Sequence, residues 1–414
     1  MKKKKNLINR IKKYISKIDL GKTKFNTLEM ILISSMALVF GILIGEAIFS
    51  NSTVGLSVKS SSSQELNEIK NVYNTILNEY INKVDSEKLK NAAINGMFSV
   101  LEDKHSSYID KDSSENYEDE LNGYFYGMGA AVYQKKGEPV TIAEVYKNSP
   151  AEKAGLKVGD QYLKINGEDV SKLTSEDISN KIKGTNNKEF KLTILRNGKE
   201  KTIKVTTGKV ELQSVKKEII EKEDKKIAHL TLTIFANNTD EQLKKALKEL
   251  KKDNIKNIVL DLRYNQGGEL DTVLNIASEF LDEKAPIIQI VGKSGTDKKY
   301  STGNENPDYN IVVLINAGSA SASEVLSAAL NEQLNVPLIG ETTYGKGTVQ
   351  KTKKLSDGSI IKYTTETWKT SKGNSIEKIG IKPTIEVKQS EKYYETGSND
   401  DDVQLQKAIA ELLK

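Results

Sequence analysis

Apolar residues recur at helical spacing over residues 64–121. Leu66, Ile69, Tyr73, Ile76, Leu77 and Tyr80 fall three and four apart and draw one stripe along a helix. A second helix is expected over Ser86–Leu101. From Asn122 to Gly208 the period shortens to that of strands. The runs YLKI and EDV flank Asn166-Gly167, and LTILR and KEKTIKV flank Asn197-Gly198, the dipeptides favoured in two-residue hairpin turns because both central positions need positive φ. Ser149-Pro150, alanines and Gly155 read as a short helix with its N-cap, a proline in the first turn and glycine after the last. From Lys226 to Ile385 strands and helices alternate. IAHLTLTIF is a strand, Thr239–Lys252 a helix capped by Thr239 or Asp240, and NIVLDL a buried-type strand. Leu270–Leu281 is a helix, IIQIV and IVVLIN are strands, and Ala320–Leu330 is a helix. Such alternation predicts an α/β layer with a partly parallel sheet, closed by an amphipathic helix over Asp402–Lys414.

The expected fold class is therefore α+β and multidomain: a transmembrane helix, a helical cap region, a β-rich module and an α/β core. The boundaries run 1–27 (basic leader), 28–49 (anchor), 50–63 (Ser-rich linker), 64–121 (helical region), 122–208 (β-rich module), 209–392 (core) and 393–414 (closing helix). Leu28 to Phe49, apolar apart from Glu29 and Glu46 near its ends, would reach about 33 Å as a helix, enough for a hydrocarbon layer of ~30 Å. Positive charge ahead of the span predicts a cytoplasmic N-terminus and an extracytoplasmic remainder. A cleaved signal peptide is the rival reading, but no A-x-A-like site follows.

Charge changes the picture only after it is divided. The 414 residues carry a net +5, yet ten Lys and Arg stand against Asp19 alone in residues 1–27. The other 52 basic and 56 acidic residues leave the body at −4. A mildly acidic body with three Arg in the whole chain (Arg10, Arg196, Arg263) argues against nucleic acid as a partner. With no Cys, thiol nucleophiles and Cys-ligated metals are excluded, and with His105 and His229 as the two His, a His-rich metal site nearly so. No cofactor is implied.

Candidate chemistry lies in three stretches of the α/β part: DLRYNQGG (Asp261–Gly268), NAGSASASE (Asn316–Glu324) and YGKGTVQ (Tyr344–Gln350). Adjacent glycines after a strand let backbone N–H groups approach a ligand. A serine at a strand-to-helix junction meets the free N–H groups and dipole of the helix start, a favourable place for an attacking oxygen and a developing oxyanion. Against that, Ser321-Ala322-Ser323-Glu324 is also an S-x-x-E capping box, in which the hydroxyl does nothing more than cap a helix. Lys346 stands among 59 lysines, but between Gly345 and Gly347, which suggests a tight loop.

Two resemblances join these pieces. NSPAEKAGLKVGDQYLKINGEDV looks like the middle of a PDZ domain, a family that holds a peptide's terminal carboxylate on backbone N–H groups of a glycine-containing loop. The matching stretch is Gly127-Met128-Gly129-Ala130, and Ile178 and Ile182 on the second helix of the module line the last side chain's pocket or belong to its core. Roughly residues 64–414 resemble the C-terminal processing peptidases, or tail-specific proteases, Ser/Lys-dyad serine peptidases with an embedded PDZ domain and a crotonase/Clp-protease-like core. The resemblance implies Ser321 as nucleophile, Lys346 as general base, Gln350 positioning the amine, and an oxyanion hole from the N–H groups of Ala322 and Gly267. It implies protein or peptide substrates with free, apolar C-termini. Departures are Gln266, where the family often has Pro, and Asp103-Lys104, where it often has DP.

A Ser/Lys pair makes one physical demand. The ammonium form accepts no proton, so Lys346 must be substantially neutral at working pH, well below its ordinary pKa of about 10.4. Leu314, Ile315, Leu338, Ile339 and Val349 are the expected apolar walls. His229, in an alternating strand, and His105, in KHSSYI, are expected to be structural rather than bases. A non-catalytic PDZ scaffold or chaperone is the reading from another class, and a hydrolase of small esters or amides on the same dyad is a third. The stripe at 66–80 and the C-terminal helix either form a homodimer or pack internally.

Overall fold

The computed structural model describes residues 61–135, 137–303 and 309–414, with side chains from 63 onward. The leader, the 28–49 span and most of the linker lie outside the described residues; among those described, no helix is long and apolar enough to cross a membrane. Ser61–Ser63, expected in the linker, already open α1 (Ser61–Glu79). The chain divides into two compact units at Leu89/Lys90. In the first, Leu66, Ile69 and Tyr80 are exposed. The helix α2 (Ser86–Ser99) buries no side chain.

The second unit opens within α2, at Lys90, and continues with β1 (Ser107–Ile109), which the helical reading of 64–121 did not include, and α3 (Lys111–Leu121). The β-rich module follows: β2 (Tyr124–Gly127), β3 (Ala130–Tyr133), β4 (Thr141–Val145), α4 (Pro150–Lys153), β5 (Gln161–Ile165), β6 (Glu168–Asp169), α5 (Ser175–Ile182), β7 (Glu189–Arg196), β8 (Lys199–Thr206) and β9 (Gly208–Glu211). Both Asn-Gly turns have positive φ at both positions (53° and 87°; 52° and 72°), and the pairs β5–β6 and β7–β8 are antiparallel. Ser149 caps α4 by accepting from the N–H of Glu152, as expected. The sheet runs β3-β4-β5-β7-β8, so β3 is an edge strand.

The core contains β10 (Val215–Lys222), β11 (Lys225–Leu232), α6 (Thr239–Lys252), β12 (Asn257–Asp261), α7 (Leu270–Ser278), β13 (Pro286–Gly292), β14 (Gly295–Tyr300), β15 (Asn310–Ile315), α8 (Ala322–Leu334), β16 (Leu338–Gly340), β17 (Thr348–Lys354), β18 (Ile360–Thr370), β19 (Ile385–Glu386), α9 (Glu391–Thr396) and α10 (Val403–Leu412). One sheet runs β10-β11-β12-β15-β16-β19, parallel from β11 onward. Its central strands β12, β15 and β16 are buried on both faces, which is why they read as continuous apolar runs, whereas the edge strand β10 is largely exposed. Ile258, Leu260, Val313 and Ile315 face the core shared with α6, α7 and α8, while Val259, Val312 and Leu314 meet Leu405, Ala408, Ile409 and Leu412. The C-terminal helix thus packs internally. A second, antiparallel sheet joins β1, β18, β13 and β14, with β17 also on β18.

Two caps differ from expectation. Asn238 is the N-cap of α6 and its side chain makes no capping bond; the Thr239 hydroxyl instead takes the N–H of Ala236 at 3.0 Å, fixing the entering loop. The helix expected over Ala320–Leu330 begins at Ala322, because Ser321 has φ 54° and leaves the helical region.

Candidate active site

The three motifs converge because each follows a parallel strand. DLRYNQGG leaves β12, NAGSASASE leaves β15 and YGKGTVQ follows β16, three neighbours in one sheet, so their loops meet at its C-terminal edge, where ligands of such sheets bind. Ser321, Ala322, Lys346 and Gln350 line one cavity of about 290 Å³.

Ser321 has φ 54° and ψ −114°, outside the relaxed regions for a residue with a Cβ. Its hydroxyl makes no capping bond. The N–H of Glu324 goes to the Ser321 carbonyl at 2.8 Å, and the Ser321 N–H donates to Glu324 Oε2 at 2.8 Å. The capping-box arrangement of the S-x-x-E motif is therefore present, with the carboxylate half a close hydrogen bond and the Glu324 N–H held at short range by the Ser321 carbonyl rather than by the hydroxyl.

Glu324, read in the sequence as no more than a cap partner, is fully buried and accepts four bonds. Oε2 takes the N–H groups of Ser321 and Lys346 (2.8 and 2.9 Å); Oε1 takes the N–H of Gly345 and the Thr343 hydroxyl (both 2.6 Å). Burying a carboxylate is costly unless its lone pairs are satisfied, and here two loops satisfy them. The tightness expected from the flanking glycines is real. A Cβ on Gly345 would stand 2.9 Å from the backbone N atoms of Ile379 and Gly380, and one on Gly347 would stand 2.9 Å from Glu377 Cβ. Trp368 Nε1 donates to the Lys346 carbonyl at 2.9 Å.

Lys346 is half-buried, and its amine makes no ion pair among the described residues. Burial, then the charge of Lys362, pushes its pKa down; Asp103, Glu324 and Glu377 pull the other way. The apolar lining includes Leu121, Leu270, Ile288, Val325, Val349 and Trp368. Of the expected walls Val349 alone lines the cavity. Ile315 and Leu338 are spent on the core under α6–α8, and Leu314 and Ile339 on the face under α10.

Gln350 stands on β17 beside a register irregularity and donates to the hydroxyls of Thr348 (2.9 Å) and Thr364 (3.1 Å). Gly267 differs from expectation. Its Cα lies against the Ser321 loop, where a Cβ would stand 2.8 Å from Ser321 Cβ and 3.0 Å from the Ala322 N, but its N–H donates to Asn265 Oδ1 at 2.9 Å. The N–H groups of Gly268 and Ala322, both lining the cavity, have no acceptor among the described residues. Neither His lines it. Buried His229 pairs with Asp261 Oδ2 at 3.0 Å, in a network where Arg263 bonds Asp261 (2.7 Å) and Asp402 (2.8 Å). His105 packs edge-on to Tyr344, and burial, then the charge of Lys346, lowers its pKa.

In the β-rich module, Gly127, Met128, Gly129, Ala130, Ile178 and Ile182 line a second cavity of about 260 Å³ between edge strand β3 and α5. Ile178 and Ile182 are also core residues, so both readings of them hold. Gly129 has φ 80°, and a Cβ there would stand 2.4 Å from Ser149 Cβ, so the loop requires glycine.

Known proteins resemble this chain in each of its parts. Residues 226–387 match the model of peptidase family S41, 117–195 the PDZ domain, and 46–113 the N-terminal domain of the activating protease CtpB. The chain is 38% identical over 341 residues to the carboxy-terminal processing protease CtpB of Bacillus subtilis (strain 168), covering 82% of this chain and 71% of that one. It is 34% identical over 360 residues to a CtpA-like serine protease of Staphylococcus aureus (strain COL), covering 86% and 71%. Among solved structures, an S41 protease from Bacteroides fragilis superposes with a TM-score of 0.53 at 20% identity, over 77% of this chain and 90% of that one, a likeness of fold.

Proposed function

Because this chain belongs to the S41 family of C-terminal processing serine proteases and carries a PDZ domain, we propose that it cleaves proteins captured by their C-terminal tails, through a Ser321–Lys346 dyad. The observation that carries the reading is a serine hydroxyl on a strained residue at a helix start, sharing a cavity with an amine whose charge burial disfavours. The neutral Lys346 Nζ takes the proton of Ser321 Oγ as Oγ bonds to the scissile carbonyl carbon. The oxyanion that forms is held by the N–H groups of Ala322 and Gly268. As the C–N bond breaks, the ammonium returns the proton to the leaving amine, and a water, deprotonated by the same amine, hydrolyses the ester. Gln350 orients the amine. In the structure the hydroxyl and amine share the cavity without a direct hydrogen bond, a common state of catalytic pairs before substrate tightens them.

The PDZ groove takes the terminal carboxylate on the N–H groups around Gly127–Ala130 and an apolar last side chain against Ile178 and Ile182, while the substrate adds a strand to β3. Residues 28–49 anchor the chain, with the N-terminus cytoplasmic and the protease extracytoplasmic; hydrophobic length and flanking charge support this. The test is labelling of Ser321 by a fluorophosphonate in the full chain. Wild type labels, Lys346→Ala does not, and Ser321→Ala neither labels nor cleaves. Cleavage by purified Ser321→Ala overturns the dyad and leaves a tail-binding scaffold.

A further inference from the structure

Resting on the dyad reading, we propose that Asp103, through Thr364, is a positioning residue that fixes which end of the Gln350 amide faces the cavity. The loop before β1 reaches the site because β1 pairs with β18 at Ser107↔Lys362 and Tyr108↔Ile361, which carries Asp103 to Thr364. The Thr364 hydroxyl donates to Asp103 Oδ2 at 2.6 Å. The Ser106 hydroxyl donates to the same oxygen at 2.6 Å while accepting the Thr364 N–H at 3.0 Å, and the His105 N–H donates to Oδ1 at 2.9 Å. Burial alone would raise the Asp103 pKa, but the Ser106, Thr364 and His105 bonds outweigh it and hold the group at about 2. It is a carboxylate wherever the enzyme works.

An ionised carboxylate is acceptor-only. Thr364 has one hydroxyl hydrogen and it is committed to Asp103, so toward Gln350, 3.1 Å away, its oxygen has nothing to offer but a lone pair. Gln350 must then turn its NH₂ to Thr364, where it also serves Thr348. Its carbonyl oxygen is left without a partner among the described residues, on a side chain that lines the cavity with Lys346 and Ser321. A carbonyl there accepts an N–H of the neutral amine. It thereby turns the amine's single lone pair away from itself, freeing it for the Ser321 proton. The reversed amide would donate to that lone pair and take it out of use. Asp103 thus sets a polarity that Gln350 alone lacks.

The test is a double-mutant cycle read by fluorophosphonate labelling rate across pH in the full chain. Asp103→Asn is expected to slow labelling about 10- to 100-fold, part of the ~10²–10⁴-fold that a positioned base supplies, with the acidic limb of the pH profile displaced and peptide KM unchanged. In a Gln350→Ala background the same substitution should cost less than twofold. Thr364→Val should reproduce the loss and Thr364→Ser restore it. Equal cost of Asp103→Asn with and without Gln350, or a fully active Thr364→Val, overturns the relay while the dyad stands. Labelling that survives Lys346→Ala overturns the dyad itself.

Discussion

Ser321 and Lys346 hang by their backbone N–H groups from one oxygen, Glu324 Oε2, at 2.8 and 2.9 Å. The backbones that carry the proposed nucleophile and base are therefore held together by a third residue whose carboxylate never needs to touch substrate.

Glu324→Gln keeps the volume but removes one of two acceptor atoms, so an NH₂ group must face donors. Leaving buried donors unpaired costs about 1–3 kcal/mol each. We expect a fall in melting temperature and a kcat at least tenfold lower, with KM little changed, measured by calorimetry and peptide hydrolysis. Wild-type kcat in a folded Glu324→Gln protein would contradict the role.

Lys346 has a pKa lowered by folding, first through burial and then through Lys362. The unfolded chain then binds more protons than the native one between the folded value and about 10.4, so this residue's share of stability rises with pH in that window and is unfavourable at neutrality. Lys346→Met should abolish hydrolysis, by more than ~10³-fold, and raise the melting temperature at pH 7. Wild-type activity should climb as pH rises through the lowered pKa. A Lys346→Met protein less stable than wild type at pH 7 would refute the desolvation argument.

Gly129 combines φ 80° with a Cβ position 2.4 Å from Ser149 Cβ. Gly129→Val should weaken binding of a labelled peptide with a free apolar C-terminus at least tenfold, read by fluorescence anisotropy, and leave small-ester hydrolysis at Ser321 intact. Amidating the peptide's terminus should do the same to wild type. Indifference to amidation would favour a hydrolase of small esters or amides.

Arg263, nearly buried, ties the loop carrying Gly267 and Gly268 to Asp402, the N-cap of α10. Removing one partner of a buried ion pair costs about 3–5 kcal/mol, so Asp402→Ala should lower the unfolding midpoint in urea accordingly. Burial opposes the ionised forms of Asp261 and Asp402, but hydrogen bonds and opposite charge prevail, holding Asp261 at about 2 and Asp402 below its ordinary value. Carboxylates lowered in the fold stabilise it above their unfolded pKa near 4 and lose that contribution as pH falls toward 2. Acid unfolding of wild type should accordingly fall in that range, and the Asp402→Ala midpoint should depend less on pH there.

Local chemistry was legible along the chain wherever it concerns neighbours. Asn166-Gly167 and Asn197-Gly198 announce their turns because positive φ is a property of those residues themselves, and Ser149-Pro150 announces its helix for a similar reason. The apolar runs of β12 and β15 announce strands buried on both faces, and the glycines around Lys346 a tight loop. The long strands β17 and β18 left no comparable sign, since their alternation is broken by lysines and threonines that look like solvated surface. What a donor or acceptor is used for depends on which atoms arrive from elsewhere in the chain. Glu324 reads as a cap partner until the loop after β16 brings three more donors to it, and Asp103 reads as no more than part of a departure from the family's pattern until β1 pairs with β18. The Gly267 N–H reads as an oxyanion donor until Asn265 takes it. Residue types and their spacing select the reaction; pairing between distant strands fixes which hydrogen goes to which lone pair.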